Sequence, residues 1–379
     1  MMNPVADDKR AGVLWGSFIG DALAMPVHWY YDRAALHRDY GVVRDYLSPR
    51  HPHPDSIFWR STYTPLNERG DILHDQAPYW GQRGVHYHQF LRAGENTLNL
   101  QLGRVLIESL VARGRYDPED YLQRYLDFML NPGRHRDTYV EECHRKFFTA
   151  YARGVAPRKC GGSDVHIGGL AHVGVLCAFG GSSLGRPSMP SDHEPMGVSL
   201  SRPSGTLSRP TGEGWGEGGF METERDATRE AVREHVQLTH RAPEVLRAAD
   251  ALARILGAVL AGGGLREAIL QHGSDWLSQR TAEHWSRESD DVVIGQRVSP
   301  ACYMAEAFPA SLYLAWKYAD DFEAGLVANT NVGGDNCHRG AVVGALLGAA
   351  VGADRIPARW REGLLEAQAL RAEIARWAP

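Results

Sequence analysis

Glycine recurs at every fourth position in two segments near opposite ends of this 379-residue chain. These residues are Gly12, Gly16, Gly20, Gly340, Gly344, Gly348 and Gly352. Residues four apart share one face of an α-helix, so each segment predicts a helix with one face free of side chains. Each glycine costs about 1 kcal/mol of helix propensity relative to alanine. We therefore expect two buried helices in which close contact with neighbouring helices compensates for the lost helix propensity.

Helical patterns recur along the rest of the chain, whereas the alternating patterns of strands hardly appear. Asp117 is a capping residue followed by proline at the first helical position, which predicts a helix start. Further apolar patterns with helical spacing cover residues 98–111, 138–153, 245–259 and 359–377. The sequence therefore predicts an all-α fold, in a single domain that covers residues 1–379.

One segment, from about residue 180 to 222, departs from this pattern. It is rich in Gly, Ser, Pro and Arg, and the tetrapeptide Leu-Ser-Arg-Pro occurs in it twice. Such a composition buries too little apolar surface to offset the entropy lost on ordering. We expect a disordered, low-complexity insertion here.

Charge and cysteine content restrict the classes of partner. The net charge is −5 and no basic block occurs, which argues against nucleic acid or an anionic membrane as partner. The longest weakly polar run, residues 340–353, is too short to span a bilayer. The five cysteines contain no CxxC pair, which favours free thiols in a reducing compartment. The expected location is the cytoplasm.

Three polar segments stand next to apolar helices and suggest one common cleft. Residues 94–97 open the helix predicted over 98–111, and residues 329–339 open the second glycine-rich helix. Asp21 directly follows Gly20 of the first glycine-rich helix. Helix N-termini favour anions and can hold reactive side chains, so convergence of these segments would form a polar pocket.

With these motifs the sequence resembles the ADP-ribosylglycohydrolase family, whose members remove ADP-ribose from modified protein side chains. Residues 16–23 are similar to the family's opening helix, and 94–97 read Gly-Glu-Asn-Thr where the family has Thr-Asp-Asp-Thr. Residues 332–338 stand where it has Gly-Gly-Asp-Thr-Asp-Thr. The resemblance runs from about residue 11 to 354. It implies a compact orthogonal helical bundle, a cleft with two magnesium ions, and an ADP-ribosylated protein or ADP-ribose-containing small molecule as partner.

The resemblance also assigns metal-ligand positions, several of which carry altered side chains. By analogy they are Gly94, Glu95, Asn96, Asp335, Cys337 and His338. Among them only Glu95 and Asp335 are carboxylates, and His28 stands where the family often has glutamate. Magnesium prefers an octahedral shell of hard oxygen ligands. Magnesium, zinc and no metal at all therefore remain open for a site formed by Glu95, Asn96, Asp335, Cys337 and His338.

Three functions remain compatible with this altered cleft. In the first, which we predict, Glu95 and Asp335 form the acid/base or electrostatic pair of a glycoside hydrolase, with His28 or His338 carrying protons. In the second, Asp335, Cys337 and His338 bind a softer ion such as zinc, together with His28 or Glu95. In the third, catalysis is lost and the protein binds ADP-ribose or is structural, as in the jellyfish J crystallins that resemble this family.

The glycine-rich loop at residues 161–169 and Asp21 supply candidate substrate contacts. Gly162, Ser163 and Gly168 are predicted to contact the pyrophosphate of ADP-ribose through a flexible backbone. The loop lacks the strand and lysine of a P-loop, so nucleotide hydrolysis is not indicated. Asp21 is predicted to contact substrate, with a purely structural hydrogen-bonding role as the alternative.

For each of several other side chains near these motifs, two interpretations are possible. Cys337 lies at a helix N-terminus, which should lower its thiol pKa and favour reactivity, or it packs as a small buried residue. His86 and His88 either line the pocket or are solvated, as loop histidines usually are. Residues 29–31, Trp-Tyr-Tyr, either stack on an adenine or close the hydrophobic core.

Overall fold

The computed structural model describes residues 4–180 and 217–377, which contain sixteen helices, short 3₁₀ turns and no β-strand. The helices are α1 (Pro4–Ala24), α2 (Arg33–Tyr40), α3 (Leu98–Arg113), α4 (Pro118–Leu130), α5 (Glu142–Ala152), α6 (Val173–Phe179), α7 (Glu217–Gln237), α8 (Pro243–Leu260), α9 (Leu265–Gly273), α10 (Gln279–Trp285), α11 (Asp290–Val292), α12 (Met304–Lys317), α13 (Phe322–Asn331), α14 (Asn336–Val351), α15 (Ala358–Gly363) and α16 (Ala367–Trp377). The predicted all-α fold is confirmed.

The two glycine-rich segments form α1 and α14, which pack directly against each other. The contacting pairs are Gly12 with Gly348, Gly16 with Gly344, and Gly20 with Gly340. A Cβ added to the first member of any pair would overlap the carbonyl oxygen of its partner. Residue numbers rise along α1 as they fall along α14, so the two helices are antiparallel. Their glycines compensate lost helix propensity by letting the two backbones touch.

The two glycine-rich helices lie at the centre of the molecule. One hydrophobic core cluster extends from Val13 in α1 to Leu370 in α16, and α14 is buried on every side from Asn336 to Ala349. From Gly340 to Val351 the helix is apolar on every face, and such a helix belongs in a core. No helix among the described residues is long and apolar enough to cross a membrane.

Local signals placed α3, α4 and α8 close to their observed bounds. The Asp117 carboxylate accepts hydrogen bonds from the backbone N–H groups of Glu119 and Asp120, as an N-cap should. The helix predicted over 138–153 begins only at Glu142. The four residues before it are not helical, and two of them, Tyr139 and Glu141, contribute side chains to the candidate site, which the helical period does not reveal.

The C-terminal segment predicted as one helix over 359–377 is broken into α15 and α16. At the break, the backbone N–H of Leu365 donates to the carbonyl oxygen of Gly94, with an N–O distance of 2.8 Å. Gly94 has a φ of +77°, and a Cβ there would overlap the carbonyl oxygen of Gly363. The break thus depends on a distant loop and not on the local pattern.

The insertion predicted at about 180–222 lies mostly outside the described residues, which omit 181–216. Its last part, 217–222, lies within α7, which begins at Glu217.

Candidate functional site

The candidate site forms where the end of α1 meets the start of α14. Trp29 N–H donates to the Gly334 carbonyl and Gly334 N–H donates to the Tyr30 carbonyl, both at 2.8 Å. Gly334 has a φ of +69°, which glycine adopts without steric cost. This backbone pairing brings His28 Nε2 within 3.1 Å of Asp335 Oδ1. Two residues 307 positions apart thus meet because their helices are antiparallel neighbours.

Six side chains form a continuous hydrogen-bonded chain, which we call the relay. In order, its members are Asp137, His88, His28, Asp335, His338 and Glu141. Successive distances are 2.7 Å (Asp137 Oδ1–His88 Nδ1), 2.7 Å (His88 Nε2–His28 Nδ1), 3.1 Å (His28 Nε2–Asp335 Oδ1), 2.7 Å (Asp335 Oδ1–His338 Nδ1) and 2.6 Å (His338 Nε2–Glu141 Oε1). The Glu141 side chain is 14% exposed and the other five are at most 2% exposed. Glu141 is therefore the end of the relay that can meet a substrate.

Two carboxylates flank His338 and fix its charge. Burial alone would lower the pKa of His338, but the charges of Asp335 and Glu141 and their hydrogen bonds raise it well above the ordinary value. Burial opposes ionisation of Asp335, yet His338 and His28 hold its pKa well below the usual range. Burial is likewise outweighed at Glu141, where the charge of His338 lowers the pKa. At neutral pH this end of the relay is an imidazolium between two carboxylates.

The hydrogen bonds of the relay constrain where its protons lie. Both ring nitrogens of His338 face ionised carboxylates, which can only accept, so both carry protons. His28 Nε2 faces ionised Asp335 and therefore donates, whereas His28 Nδ1 faces Nε2 of His88, whose ring is parallel with centroids 5.0 Å apart. Burial lowers the pKa of His28 to about 4, so at neutral pH its ring is neutral and its Nδ1 is the acceptor.

Aromatic rings form a wall next to His28. The Trp29 ring stacks on the His28 ring at 4.0 Å between centroids and lies 4.4 Å from Tyr87 and 4.6 Å from Tyr139. Trp29 has a φ of +62°, which is unusual for a bulky residue and directs its side chain against the site. In the same tripeptide Tyr30 is buried in the core and Tyr31 is exposed. The three aromatic residues therefore have separate environments.

The glycine-rich loop reaches the exposed end of the relay at Gly168. A Cβ on Gly168 would lie 2.5 Å from Glu141 Oε2, and its carbonyl oxygen accepts a hydrogen bond from Asn99 Nδ2 at 3.3 Å. Gly162 instead pairs with the α7–α8 connection, where its N–H donates to Thr239 at 3.1 Å. Ser163 is exposed. A side chain at this position would require the Glu141 carboxylate to shift.

Glu95 is not brought to Asp335 or His28. Arg136 donates two hydrogen bonds to its carboxylate, each at 2.9 Å, and the backbone N–H of Arg92 donates a third at 2.9 Å. Glu95 and Arg136 line a separate cavity of about 530 Å³. The two carboxylates expected to flank one glycosidic bond thus belong to different hydrogen-bond networks.

Asp21 and Asn96 join the start of α3 to α1. Asp21 accepts hydrogen bonds from Asn96 Nδ2 and Thr97 N–H at 2.8 Å, and from the Thr97 hydroxyl at 2.6 Å. The Asn96 amide also donates to the Phe18 carbonyl oxygen at 2.8 Å. Asp21 is fully buried, and burial raises its pKa. Its carboxylate holds two helices in register through these bonds.

The environments of Cys337, His86 and His88 distinguish between the alternatives that the sequence left open. Cys337 has a pKa raised well above the thiol value, because burial and nearby carboxylates outweigh the helix N-terminus. Its thiol donates to the Asp21 carbonyl oxygen at 3.5 Å and packs in a small apolar cluster. His86 and His88 are buried rather than solvated, and His86 Nε2 lies 3.0 Å from the Pro26 carbonyl oxygen.

Comparisons with known proteins agree with this architecture. The sequence profile described as ADP-ribosylglycohydrolase matches residues 2–378. The chain belongs to the ADP-ribosylglycohydrolase family. A solved structure titled "ADP-ribosylglycohydrolase-related protein complex" covers 99% of this chain and 98% of its own, with 21% identity and a TM-score of 0.61. At that identity the likeness shows the fold alone. No curated protein matches the sequence.

The magnesium site of the ADP-ribosylglycohydrolase family can be tested against these side chains. Around the relay, two groups of side chains have ligand atoms within 4.8 Å of one another, His28–Asp335–His338 and His28–His88–Cys337. Neither group includes Glu95, and each offers one carboxylate at most. Asp335 Oδ1 already bonds two histidines. Because magnesium requires several hard oxygen ligands, these residues do not fit it.

Sequence reasoning missed three members of the relay. Glu141 falls within the helix predicted over 138–153 and Asp137 directly precedes it, while for His88 the sequence suggests only a pocket-lining or solvated residue. The available signal was the concentration of three acids around one tyrosine at 137–142 beside a helix start. Asp137 also caps α3, because its Oδ2 accepts the Leu98 N–H at 2.8 Å. A cap that lies 39 residues away leaves no local signature.

Proposed function

We propose that this protein hydrolyses the glycosidic bond between ADP-ribose and an acceptor, either a protein side chain or part of a small molecule. The observation that carries the proposal is the relay, which ends at the partly exposed Glu141 carboxylate beside Gly168. Membership of the ADP-ribosylglycohydrolase family supports the reaction class. Asp335 and His28, expected from the sequence, act in this proposal together with Glu141 and His338.

Breaking the bond between the ribose anomeric carbon and the acceptor builds positive charge on the ribosyl ring. The ionised Glu141 lies where it stabilises this charge, and Asp335 reinforces its field through His338. The departing acceptor takes up a proton from the His338 imidazolium, passed on through Glu141. Water then adds its hydroxyl group to the anomeric carbon and gives its other proton back through Glu141 to His338, so the relay ends the cycle unchanged.

The walls of the site suit the substrate's other parts. We propose that the backbone of residues 161–169 contacts the pyrophosphate, with Gly162 and Ser163 at its outer part and Gly168 nearest the ribose. Asp21 acts indirectly, because its hydrogen bonds fix the position of α3. Glu95 is assigned a supporting role through Arg136, in place of direct contact with the reacting bond.

No step of the proposal passes through magnesium, because the donor atoms near Asp335 do not suit it. A softer ion held by His28, Asp335 and His338 would have to displace the two hydrogen bonds that Asp335 Oδ1 now accepts. Cys337 would first have to lose a proton that burial makes it retain. The proposed chemistry therefore relies on the relay's own protons.

A second function has one observation in its favour. Asp335 is 1% exposed and Trp29 covers one face of His28, so most of the relay is closed to a substrate. This burial favours a protein that binds ADP-ribose, or serves structurally, without cleaving it. The two functions differ in whether free ADP-ribose appears.

The test uses the full chain after treatment with a chelator. Release of ADP-ribose from ADP-ribosylated arginine and serine peptides is measured by mass spectrometry for the wild type, Glu141→Gln and Asp335→Asn. Loss of an acid/base group costs about 10²–10⁴-fold in rate, so both variants should fall by this order. Glu283→Gln changes an exposed carboxylate on α10 and should react as the wild type does.

Binding is measured separately by the thermal shift that free ADP-ribose causes, since a ligand of the native state raises its stability. Glu141→Gln should retain this shift while losing hydrolysis. Wild-type rates in both relay variants would refute the assigned roles. A thermal shift with no hydrolysis by the wild type would favour the binding function.

A further inference from the structure

A second group of metal-ligating side chains lies in the glycine-rich loop and at the start of α5, apart from the relay. Ligand atoms of Glu142, Asp164 and His166 all lie within 4.8 Å of one another. Asp164 Oδ1 is 2.8 Å from His166 Nδ1. These side chains do not enter the relay's hydrogen bonds.

A fourth side chain reaches the same group from the connection between α7 and α8. His240 Nε2 lies 3.8 Å from Asp164 Oδ1. His240 Nδ1 is 2.9 Å from the Thr239 hydroxyl, which leaves Nε2 as the ring's free nitrogen. Backbone hydrogen bonds from Gly162 to Thr239 and from Arg241 to Gly162 hold the two segments together. Main-chain pairing thus positions the Asp164–His166 segment and His240 next to each other.

Two buried atoms of this group have no hydrogen-bond partner. They are Asp164 Oδ2 and His240 Nε2, whose side chains are 1% and 2% exposed. A buried polar atom without a partner is costly and calls for an explanation such as an ion. Both atoms belong to residue types that bind transition metals. The unmet bonding capacity points to a ligand at this position.

We propose that Asp164, His166, His240 and Glu142 bind a zinc ion. Zinc bonds nitrogen and oxygen at about 2.0–2.2 Å, which puts tetrahedral ligand atoms roughly 3.3 Å apart. The observed separations of 2.8 Å and 3.8 Å lie on either side of that value. Two imidazoles with carboxylates suit zinc better than magnesium or calcium, which prefer oxygen alone.

The surroundings supply an entry path and supporting contacts. Glu142 and His166 are 42% and 23% exposed, so an ion can arrive from solvent. Zinc would displace Lys146 Nζ, which now lies 2.7 Å from Glu142 Oε1, and the proton that His166 shares with Asp164. The Thr239 hydroxyl would hold the His240 ring in place, as partners of metal-bound histidines usually do.

The bound ion would join the glycine-rich loop to the α7–α8 connection. The inference is independent of the proposed hydrolysis, because it concerns ion binding by side chains outside the relay. It also differs from the site expected by family resemblance, which involved Glu95, Asn96, Asp335, Cys337 and His338.

The test titrates zinc into the chelator-treated full chain against a chromophoric competitor. One equivalent should bind to the wild type. Removal of a supporting partner of a metal ligand costs about 10–100-fold in affinity, and loss of a ligand should cost at least as much. His166→Gln and His240→Gln should therefore bind zinc at least 10-fold more weakly. His284→Gln, an exposed histidine on α10, is the matched control and should bind as the wild type does.

A measurement on the wild type covers the case in which a variant does not fold. Zinc should protect His166 from diethyl pyrocarbonate, as read by mass spectrometry, while the exposed His284 stays reactive. Absence of zinc binding by the wild type, or equal affinity in His166→Gln, would overturn the proposal. So would loss of binding in His338→Gln alone, because that result would place the ion in the relay.

Discussion

Replacing Gly16 by alanine should separate the two central helices. The new Cβ would lie 2.5 Å from the Gly344 carbonyl carbon and would overlap its oxygen, and backbone atoms cannot turn aside as side chains can. Overpacking typically costs 1–3 kcal/mol, and we expect a value near 3 kcal/mol because both partners are main chain. Alanine returns about 1 kcal/mol of helix propensity. The net destabilisation should be about 2 kcal/mol.

Gly257 in α8 provides the matched control. A Cβ added there meets no atom within 4 Å, so Gly257→Ala should stabilise the protein by about 0.4–1 kcal/mol. Urea unfolding followed by tryptophan fluorescence should show midpoints for the two variants that differ by roughly 1 M, given a slope near 3 kcal/mol/M. If Gly16→Ala proved as stable as the wild type with an unchanged slope, the direct contact of the two backbones would be refuted.

Three more perturbations have defined outcomes. Burial lowers the pKa of His172 to about 4 and that of His235 well below its usual value, so the unfolded chain takes up protons first below pH 6.5. The free energy of unfolding should therefore be highest above that pH and should fall toward pH 4, by up to about 1.4 kcal/mol per pH unit for each histidine. In His172→Gln the urea midpoint should depend less steeply on pH than in the wild type. Gly168→Ala should push on the carboxylate at the end of the relay and lower both hydrolysis and the ADP-ribose thermal shift; an unchanged shift would count against contact with the substrate. Arg136→Met should leave the Glu95 carboxylate without its partner and cost about 1–3 kcal/mol in urea unfolding, while an unchanged midpoint would show that the ion pair is not stabilising.

The family was accessible from the sequence because short motifs carry it. Asp335 and His28 stand at the ends of glycine-rich helices, and these helices had to meet some neighbour closely. The sequence did not show that the two glycine-rich helices pack against each other, since a helix face made of glycine can pack closely against many other helices. The antiparallel pairing of Gly16 with Gly344 is a property of the tertiary structure.

The same distinction separates local from distant capping. The helix at Asp117 could be predicted because its cap lies next to the groups that it satisfies. Asp137 caps α3 across 39 positions, and that role was missed. Gly94 ends α15 through a hydrogen bond to Leu365, so an unbroken helical pattern was divided by a contact that lies far away in the chain.

The charges of the site depended most on the tertiary structure. Residue type alone suggested that Glu95 pairs with Asp335, and it left open whether Cys337 is reactive or packs as a buried residue. In the structure Arg136 forms an ion pair with Glu95, and burial keeps the Cys337 thiol protonated. The sequence by itself determined the helices and the kinds of side chain available to the site. Only the packed structure decided which of them ionise and touch, because hydrogen bonding and burial are set by neighbours that are distant in sequence.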